Sequence, residues 1–436
     1  MNIRLYNARI LTMEKDRPIF RGEVWIKNEK IACVASDEEL KGEWYEDFPR
    51  INWDMNIDCK DNLLMPGFKD AHTHSAMTFL RSYADDVPLQ EWLNEKVFPM
   101  EAKLTGEDIY HLTKLAILEY LTSGITSIFE MYLTPDTIAE ACMDMGMRCV
   151  LASGLNNFSS SIEQVAEEYQ KWNKKNSLVS YQLAFHAEYT SSKELICRLA
   201  QLAHEYRAPV YTHLAETKRE VEECKGRYGM TPAVFLDSVG LFEFGGGGYH
   251  CVHMTPADMD VFSRRKLYAI TNPASNLKLA SGVAPVADFV KRKIPVAIGT
   301  DGPASNNCLD MFREMFLVTG LSKLREGDAA SMDAGQVLQM ATVNGAKAMH
   351  LNKADVLAKG KYADIIMIDL HQPNMQPIHN IPKNIVYSGS KSNVRMTMIN
   401  GKILYKDGEF YVGESVDGIY ADCERIVRRL TDTVNS

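Results

Sequence analysis

The sequence Pro66-Gly67-Phe68-Lys69-Asp70-Ala71-His72-Thr73-His74-Ser75 places two histidines two residues apart, after a short apolar run and a Pro-Gly turn signal. In an extended strand, residues i and i+2 point to the same side, so both imidazole rings can converge on one point. Neutral imidazole is the commonest metal ligand in proteins and suits zinc or iron. The spacing therefore indicates a metal site at the end of a strand, against the alternative that His72 and His74 are unrelated surface residues.

The composition is that of a globular protein without a strong electrostatic bias. The chain has 436 residues, of which 46% are hydrophobic and 24% charged, and its formal net charge is −9. This length allows two or three domains. A modest acidic excess without long runs of like charge argues against nucleic acid or anionic membranes as partners. The nine cysteines include no Cys-x-x-Cys pair, and the N-terminus lacks the apolar core of a signal peptide, so we expect a cytoplasmic protein.

Both ends of the chain contain short β-like runs separated by turn residues. Such spacing is typical of a small antiparallel sheet. We therefore predict that residues 1–62 and 351–436 together form one small β-sandwich domain, with a C-terminal helix at about 420–434. Residues 63–350 would then form a larger domain inserted between the two parts.

The middle of the chain alternates β-rich runs with helical stretches, which is typical of repeated β/α units. The strand before His72 is followed by candidate strands at 124–131, 149–155, 179–185, 210–214, 249–253, 267–271 and 296–300. Eight parallel strands with intervening helices predict an α/β fold of the (β/α)8 barrel type, whose chemistry lies at the C-terminal ends of the strands. An open doubly wound sheet is the alternative, but the first strand is not followed by Gly-x-Gly-x-x-Gly.

Polar side chains collect where these predicted strands end. They are His72 and His74 after the first strand, His186 after the fourth, His213 and Glu216 after the fifth, His250 in the sixth, and Asp301 after the eighth. Each has an ordinary explanation when taken alone, because a strand-end histidine is more often a hydrogen-bonded core residue and Asp301 precedes a glycine, as turn formers do. Their occurrence at one end of a predicted barrel favours a metal site surrounded by catalytic groups.

With these positions in place, the chain resembles the amidohydrolase superfamily. Within it, the chain is most similar to the adenosine-type aminohydrolases, a branch that includes S-adenosylhomocysteine, methylthioadenosine and 5′-deoxyadenosine deaminases. The similarity covers essentially the whole chain. The motifs that carry it are Pro-Gly-Phe and His-Thr-His within 66–74, His-Leu-Ala-Glu at 213–216, His-Cys-Val-His at 250–253, Asn-Pro-Ala-Ser-Asn-Leu-Lys-Leu at 272–279, Gly-Thr-Asp-Gly-Pro-Ala-Ser-Asn at 299–306 and Gly-Lys-Tyr-Ala-Asp at 360–364.

The resemblance implies one divalent metal per chain, zinc in the first place with iron as the alternative. Its ligands would be His72, His74, His213 and Asp301. Binuclear relatives usually add a carboxylated lysine at the end of strand 4. This chain has His186 there instead, so we expect a single metal.

The implied reaction is hydrolytic deamination, which breaks a C–N bond of a cyclic amidine. A bound zinc or iron lowers the pKa of its water and so supplies a nucleophile at neutral pH. Glu216 would contact the base and carry a proton from the water to the ring nitrogen. His250 would hold the attacking hydroxide, and Asp301 would accept a proton as well as bind the metal.

The resemblance also implies substrate contacts. The connection at 75–104 is too long for a simple loop and contains apolar residues that suit a lid, including the segment 89–93. Trp92 would cover the ligand, Glu101 and His186 would contact the ribose, and Asn276 and Ser305 are further candidates for the pocket.

One departure from the relatives concerns the tail of the substrate. Relatives that bind the amino-acid tail of S-adenosylhomocysteine have arginines after strand 3, whereas this chain has Ser153 there and no arginine at 156–164. A charged carboxylate would therefore lack a planar two-point partner.

We expect a metal-dependent deaminase that converts an adenosine-like nucleoside to the inosine analogue and ammonia. The candidate substrates are 5′-deoxyadenosine, methylthioadenosine, adenosine and S-adenosylhomocysteine. A deaminase of a free base, such as guanine or an oxidised purine, or a triazine hydrolase is the alternative. A non-catalytic scaffold on the same fold would be expected to have lost its ligands, which are all present here. The partner would be a small purine nucleoside rather than a nucleic acid or a membrane, and a homo-oligomer stays open.

Overall fold

The computed structural model describes residues 1–41, 51–88, 91–174 and 177–432. Its strands are β1 (Asn2–Ile10), β2 (Phe20–Lys27), β3 (Lys30–Ser36), β4 (Met55–Asp58), β5 (Leu63–Pro66), β6 (Phe68–Thr73), β7 (Ile125–Met131), β8 (Arg148–Ala152), β9 (Val179–Ala187), β10 (Val210–Leu214), β11 (Gly246–His250), β12 (Tyr268–Thr271), β13 (Val296–Ile298), β14 (Ile365–Ile368), β15 (Val394–Ile399), β16 (Lys402–Lys406) and β17 (Glu409–Phe410).

The α-helices alternate with the strands through the middle of the chain. They are α1 (Phe98–Glu101), α2 (Gly106–Thr122), α3 (Pro135–Met145), α4 (Ile162–Trp172), α5 (Lys193–Tyr206), α6 (Lys218–Tyr228), α7 (Pro232–Ser238), α8 (Pro256–Arg265), α9 (Pro273–Lys278), α10 (Val286–Lys291), α11 (Pro303–Asn306), α12 (Met311–Glu326), α13 (Ala334–Gln339), α14 (Gly345–Ala348), α15 (Ile381–Lys383) and α16 (Val416–Asp432). None of the helices in the described part of the chain combines the length and the apolar character that crossing a membrane requires.

Strands β6 to β13 form the predicted barrel. They pair in chain order, and each strand is parallel to the next. The first and last strands also meet, because the backbone N–H of Asp301 donates to the carbonyl of His72 over 2.9 Å. All eight carboxyl ends therefore lie at one rim, and the (β/α)8 prediction is confirmed.

Most of the barrel strands lie within a few residues of their predicted positions, but the sixth was predicted three residues late. The prediction was 249–253, whereas β11 begins at Gly246 and ends at His250. A run of glycines has no side-chain periodicity from which a strand could be predicted. The structure requires them, because a Cβ on Gly246 would lie 1.9 Å from the carbonyl oxygen of Val210 in the neighbouring strand.

The strands predicted at the two chain ends do join. Within the described residues they form one nine-stranded mixed sheet with the order β17-β16-β15-β14-β5-β1-β2-β3 and with β4 beside β1. Strand β5 pairs with β14 and β1, so the apolar run before Pro66 lies in this sheet and the barrel begins at Phe68. The domain limits at 1–62, 63–350 and 351–436 stay predictions.

The C-terminal helix packs against the first long helix of the barrel. It was predicted at 420–434 and is observed over Val416–Asp432, and residues 433 and 434 lie outside the described part. Arg429 donates to Asp108 at the start of α2 over 2.5 Å, and the Cys423 thiol contacts the carbonyl of His111. The end of the chain is thus fixed to the barrel.

A buried ion pair joins the barrel to the mixed sheet. Arg148, at the start of β8, donates from Nε to one oxygen of Asp364 over 2.5 Å and from Nη2 to the other over 3.0 Å. Both side chains are almost completely buried. Asp364 also accepts a hydrogen bond from the backbone N–H of Asn400 over 2.8 Å. A two-point pair of this kind satisfies both charges where water cannot reach them.

Replacing Arg148 by leucine leaves the Asp364 carboxylate buried without its cation. We expect Arg148→Leu to lower the free energy of unfolding by about 3–5 kcal/mol, measured by equilibrium urea denaturation. Arg198→Leu is the matched control, because its pair with Glu163 is exposed on both sides, and it should cost less than about 1 kcal/mol. Equal effects of the two changes would contradict this assignment.

Candidate active site

A cavity of about 630 Å³ opens at the carboxyl ends of the barrel strands. The predicted site residues that line it are His74, Trp92, Glu101, His186, His213, Glu216, His250, Asp301 and Ser305. Two predicted residues do not line it. His72 is buried beneath it, and Asn276 lies behind His250. The sequence thus predicts nine of the residues that line this cavity, and a role of Asn276 in the pocket stays a prediction.

Five side chains converge at the bottom of the cavity, and they come from strands far apart in the sequence. Ligand atoms of His72, His213 and His250 lie within 4.8 Å of one another, and so do those of His72, His74 and Asp301. Oδ1 of Asp301 lies 3.2 Å from Nε2 of His74 and 3.6 Å from Nε2 of His72. This group, which we call the His/Asp cluster, has the donor types and spacing to hold a metal ion.

Hydrogen bonds at Nδ1 orient three of the four rings. Nδ1 of His213 donates to the carbonyl of His186 over 2.7 Å, and Nδ1 of His250 donates to Oδ1 of Asn276 over 2.8 Å. Nδ1 of His74 contacts the carbonyl of Met131 in the same manner. A partner on one ring nitrogen fixes the tautomer and directs the other nitrogen to a ligand. The Nε2 atoms are therefore available to the cluster.

His72 tests whether a metal ion fits this site. The ring is completely buried, it stacks on Tyr249 with 3.8 Å between ring centroids, and within the described residues neither of its nitrogens has a hydrogen-bond partner. An unsatisfied buried polar group costs about 1–3 kcal/mol. Burial also lowers the pKa of His72 well below its usual value, which keeps the ring neutral, as a ligand must be. A cation at the cluster would satisfy a nitrogen that the protein leaves unpaired.

Asp301 supplies the negative charge of the cluster. Its Oδ2 accepts hydrogen bonds from the hydroxyls of Ser275 over 2.6 Å and Ser305 over 2.8 Å, and its Oδ1 accepts one from the backbone N–H of Gly302 over 2.8 Å. Burial alone would raise the pKa of Asp301, but His74 and the other rings hold it well below its usual range. The side chain is therefore a carboxylate, and Ser305 orients it in addition to lining the cavity.

The carboxylate of Glu216 faces the cavity from the turn after β10. It accepts a hydrogen bond from the Ser281 hydroxyl over 3.2 Å. The turn requires a positive φ of 50° at Ala215. Glu220, which the sequence analysis missed, holds this turn, because its carboxylate accepts the backbone N–H groups of Ala215 and Glu216 over 2.7 and 2.9 Å. Burial raises the pKa of Glu220 to about 8. The available signal was its position four residues after Glu216 at the start of a helix.

Glu130 is a second residue that the sequence analysis missed. It is a buried carboxylate near the end of β7, and burial raises its pKa to about 7. It accepts the backbone N–H of Ser75 at 3.0 Å and also contacts the Ser75 hydroxyl. Since Ser75 follows His74, Glu130 fixes the chain directly after the two histidines. A charged residue inside the apolar run Ile125–Met131 was the signal that pointed to it.

The side wall of the cavity is formed by the connection predicted as a lid. Its described part is ordered as a 3₁₀ turn (Ser75–Leu80), a π-helical turn (Trp92–Val97) and α1, while residues 89 and 90 lie outside the described part. Trp92 is buried against the core. Glu101 accepts a hydrogen bond from the Tyr132 hydroxyl over 2.6 Å, and burial raises its pKa. Across the cavity, Nδ1 of His186 lies 3.0 Å from the Thr190 hydroxyl.

Comparisons with known proteins identify the family to which the chain is similar. The sequence model of the amidohydrolase family matches residues 63–404. A protein of Caldanaerobacter subterraneus subsp. tengcongensis named 5-methylthioadenosine/S-adenosylhomocysteine deaminase is 36% identical over 440 residues, which cover 99% of either chain. A protein of the same name from Desulforamulus reducens is 39% identical over 407 residues, or 92% of either chain.

A solved structure is also similar over nearly the whole length. It is an adenosine deaminase from Xanthomonas campestris with bound zinc, and it superposes with a TM-score of 0.91 at 29% identity, covering 99% of this chain and 98% of that one. The resemblance inferred from the motifs is therefore confirmed, and the chain belongs to the amidohydrolase family.

Proposed function

We propose that the protein is a metal-dependent aminohydrolase that converts an adenosine-like nucleoside to its inosine analogue and ammonia. The observation that carries this proposal is the buried, unpartnered ring of His72 within the His/Asp cluster, below a cavity that also holds the carboxylate of Glu216. The names of the three relatives described above concern adenosine or its 5′-modified forms, and they support a nucleoside substrate. A deaminase of a free purine base or a triazine hydrolase is the alternative.

We propose that His72, His74, His213 and Asp301 hold one divalent metal, with zinc ahead of iron. Three imidazoles and one carboxylate are donor types that suit zinc. The zinc-bound relative supports the same choice. A metal bound there supplies Lewis acidity, which lowers the pKa of a bound water towards neutrality.

The remaining polar groups can then move the protons of the reaction. Glu216 accepts a proton from the attacking water and delivers it to the ring nitrogen beside the amino-bearing carbon. His250, held by Asn276, orients the water towards that carbon, and Asp301 accepts the remaining proton of the water and passes it to the amino group. As the C–N bond breaks, the amino group leaves as ammonia and the ring becomes the inosine analogue.

The side wall provides groups that suit a ribose. The carboxylate of Glu101, held by Tyr132, accepts hydrogen bonds from the two ribose hydroxyls, and His186 reaches the sugar from the opposite wall. Trp92 covers the ligand from the connection before α1. A cytoplasmic location accompanies this proposal as a prediction, and the oligomeric state stays open.

The metal assignment is tested by changing the unpartnered ring. Purified protein should contain about one zinc or iron per chain, and His72→Asn should lose both the metal and the activity while remaining folded. Metal analysis by mass spectrometry and circular dichroism on the same samples measure this. His204→Asn, which changes an exposed histidine paired with Glu243, should keep the metal. Two tightly held metals per chain, or full activity after exhaustive chelation, would refute the assignment.

The proton-transfer role is tested with a substitution that keeps the shape of the side chain. Glu216→Gln cannot exchange a proton, so kcat should fall at least about 100-fold while the metal content stays the same. Glu222→Gln is the control, because Glu222 is exposed on the following helix, and its kcat should be that of the wild type. If Glu216→Gln turned over at a near-normal rate, Glu216 would only stabilise the strand end.

The nucleoside assignment is tested at Glu101. Glu101→Leu removes the acceptor for the ribose hydroxyls, so it should reduce kcat/KM for adenosine about 10- to 100-fold and reduce that for adenine much less. Steady-state kinetics on both substrates measure the difference. Tyr132→Phe, which keeps the carboxylate but removes its hydrogen-bond donor, should have a smaller effect. A wild-type preference for guanine or another free base would exclude the nucleoside assignment.

A further inference from the structure

The mouth of the cavity is unusually apolar for a surface open to solvent. Four large hydrophobic side chains line it while remaining exposed: Phe98 at 44%, Leu133 at 39%, Phe158 at 91% and Tyr189 at 37%. We call these four residues the apolar rim. Exposed apolar side chains gathered around a concave opening indicate a binding surface rather than chance exposure. The rim therefore suits a ligand that carries an apolar group at its outer end.

The charge of the cavity mouth also favours a ligand with an uncharged outer end. Among the described residues that line the cavity there is no lysine or arginine. The polar groups near the rim are neutral: Asn156, Ser159, Ser160 and Gln164. A carboxylate placed there would lose water without gaining a cationic partner, which is unfavourable. An uncharged group bears no such cost.

The orientation of a bound nucleoside determines which part of it contacts the apolar rim. The reacting carbon belongs to the purine ring, and it must reach the His/Asp cluster at the bottom of the cavity. The ribose then lies further out, beside Glu101 and His186. The 5′ carbon of the ribose is the most distant from the reacting carbon, so a substituent on it lies at the mouth.

Phe158 is the member of the rim that projects furthest, and its backbone is held in place. Oδ1 of Asn156 accepts the backbone N–H groups of Phe158 and Ser159 over 2.8 and 3.1 Å. The neighbouring Asn157 is joined to the segment after β9, through its N–H to the carbonyl of Thr190 and through its Oδ1 to the N–H of Ser192. A fixed turn thus presents an almost fully exposed phenyl ring beside the opening.

We propose that the apolar rim selects the 5′ substituent of the substrate, favouring a short uncharged alkyl or alkylthio group over a charged amino-acid tail, and that Phe158 covers this group. The inference rests on the proposed nucleoside deamination and adds to it the class of substituent and the residue that recognises it. Burying the substituent also buries part of the phenyl ring, so both surfaces leave water together.

The first test measures how kcat/KM depends on the length of the substituent. Across 5′-methylthio-, ethylthio- and propylthioadenosine, kcat/KM of the wild type should rise roughly two- to fourfold per added methylene, the upper value being that of full burial. Phe158→Ala should remove this rise, whatever its absolute rates. Phe316→Ala changes another exposed phenylalanine, on α12 and outside the cavity lining, and should keep the rise. A flat series for the wild type, or an unchanged rise in Phe158→Ala, would overturn the proposal.

The second test addresses charge. S-adenosylhomocysteine is 5′-propylthioadenosine with an amino and a carboxyl group on the last carbon, so the two form a matched pair. The wild type should process the charged compound at least about 10-fold less efficiently in kcat/KM. Phe158→Arg should narrow this difference by raising the value for S-adenosylhomocysteine and lowering that for the propylthio compound. A wild-type preference for S-adenosylhomocysteine would overturn the proposal while leaving nucleoside deamination intact.

Two further outcomes distinguish this proposal from a failure of the proposed function and from a role of the rim in oligomer contacts. If no adenosine-type nucleoside were deaminated, the proposed function itself would fail and this inference with it. If Phe158→Ala changed the oligomeric mass in light scattering and left the substituent series unchanged, the rim would be a contact between copies of the chain. That result would also overturn the proposal.

Discussion

Closure of the barrel between its first and last strands is the contact on which the candidate site depends. The buried carboxylate of Asp70 in β6 accepts the backbone N–H and the hydroxyl of Thr300 over 2.8 and 2.6 Å, although the two residues are 230 positions apart. The carbonyl of His72 then accepts the N–H of Asp301. Gly299 permits this approach, because a Cβ there would lie 2.7 Å from the backbone nitrogen of His72. Without this closure, the histidines of the first strand and the carboxylate of the last would not meet.

The side chains of the His/Asp cluster are oriented by hydrogen bonds from several elements of the barrel. Each ring that donates through Nδ1 does so to a different part of the chain, namely to β7 for His74, to β9 for His213 and to α9 for His250. Asp301 is held by the hydroxyl of Ser275, which also lies in α9, and by that of Ser305 in α11. A site assembled in this way costs little reorganisation when a ligand arrives, because its groups are already placed.

The sequence predicts those features that are local or periodic. The spacing of His72 and His74, the alternation of strands and helices, and the polar residues at strand ends are all of this kind. Together they predict the barrel and the polar residues at the bottom of the cavity. Glu130 and Glu220 were not predicted because each accepts backbone N–H groups, of Ser75 and of Glu216 respectively. Such contacts leave no periodic pattern in the sequence. The hydrogen bond of Asn276 to His250, which lies 26 residues away, is visible only in the fold. The strand at Gly246 was misplaced because glycine leaves no pattern of alternating side chains.

The chain passes from the mixed sheet into the barrel through a single residue. Gly67 separates β5 from β6, its N–H donates to the carbonyl of Asp364 over 3.1 Å, and a Cβ on it would lie 2.1 Å from the side chain of Thr126. Because only one residue links them, the last strand of the mixed sheet before the barrel and the strand that carries His72 cannot move independently. The barrel is therefore not a module to which a small domain has been attached. Trimming either terminus to isolate a minimal catalytic unit would remove the support of the strand that carries the two histidines.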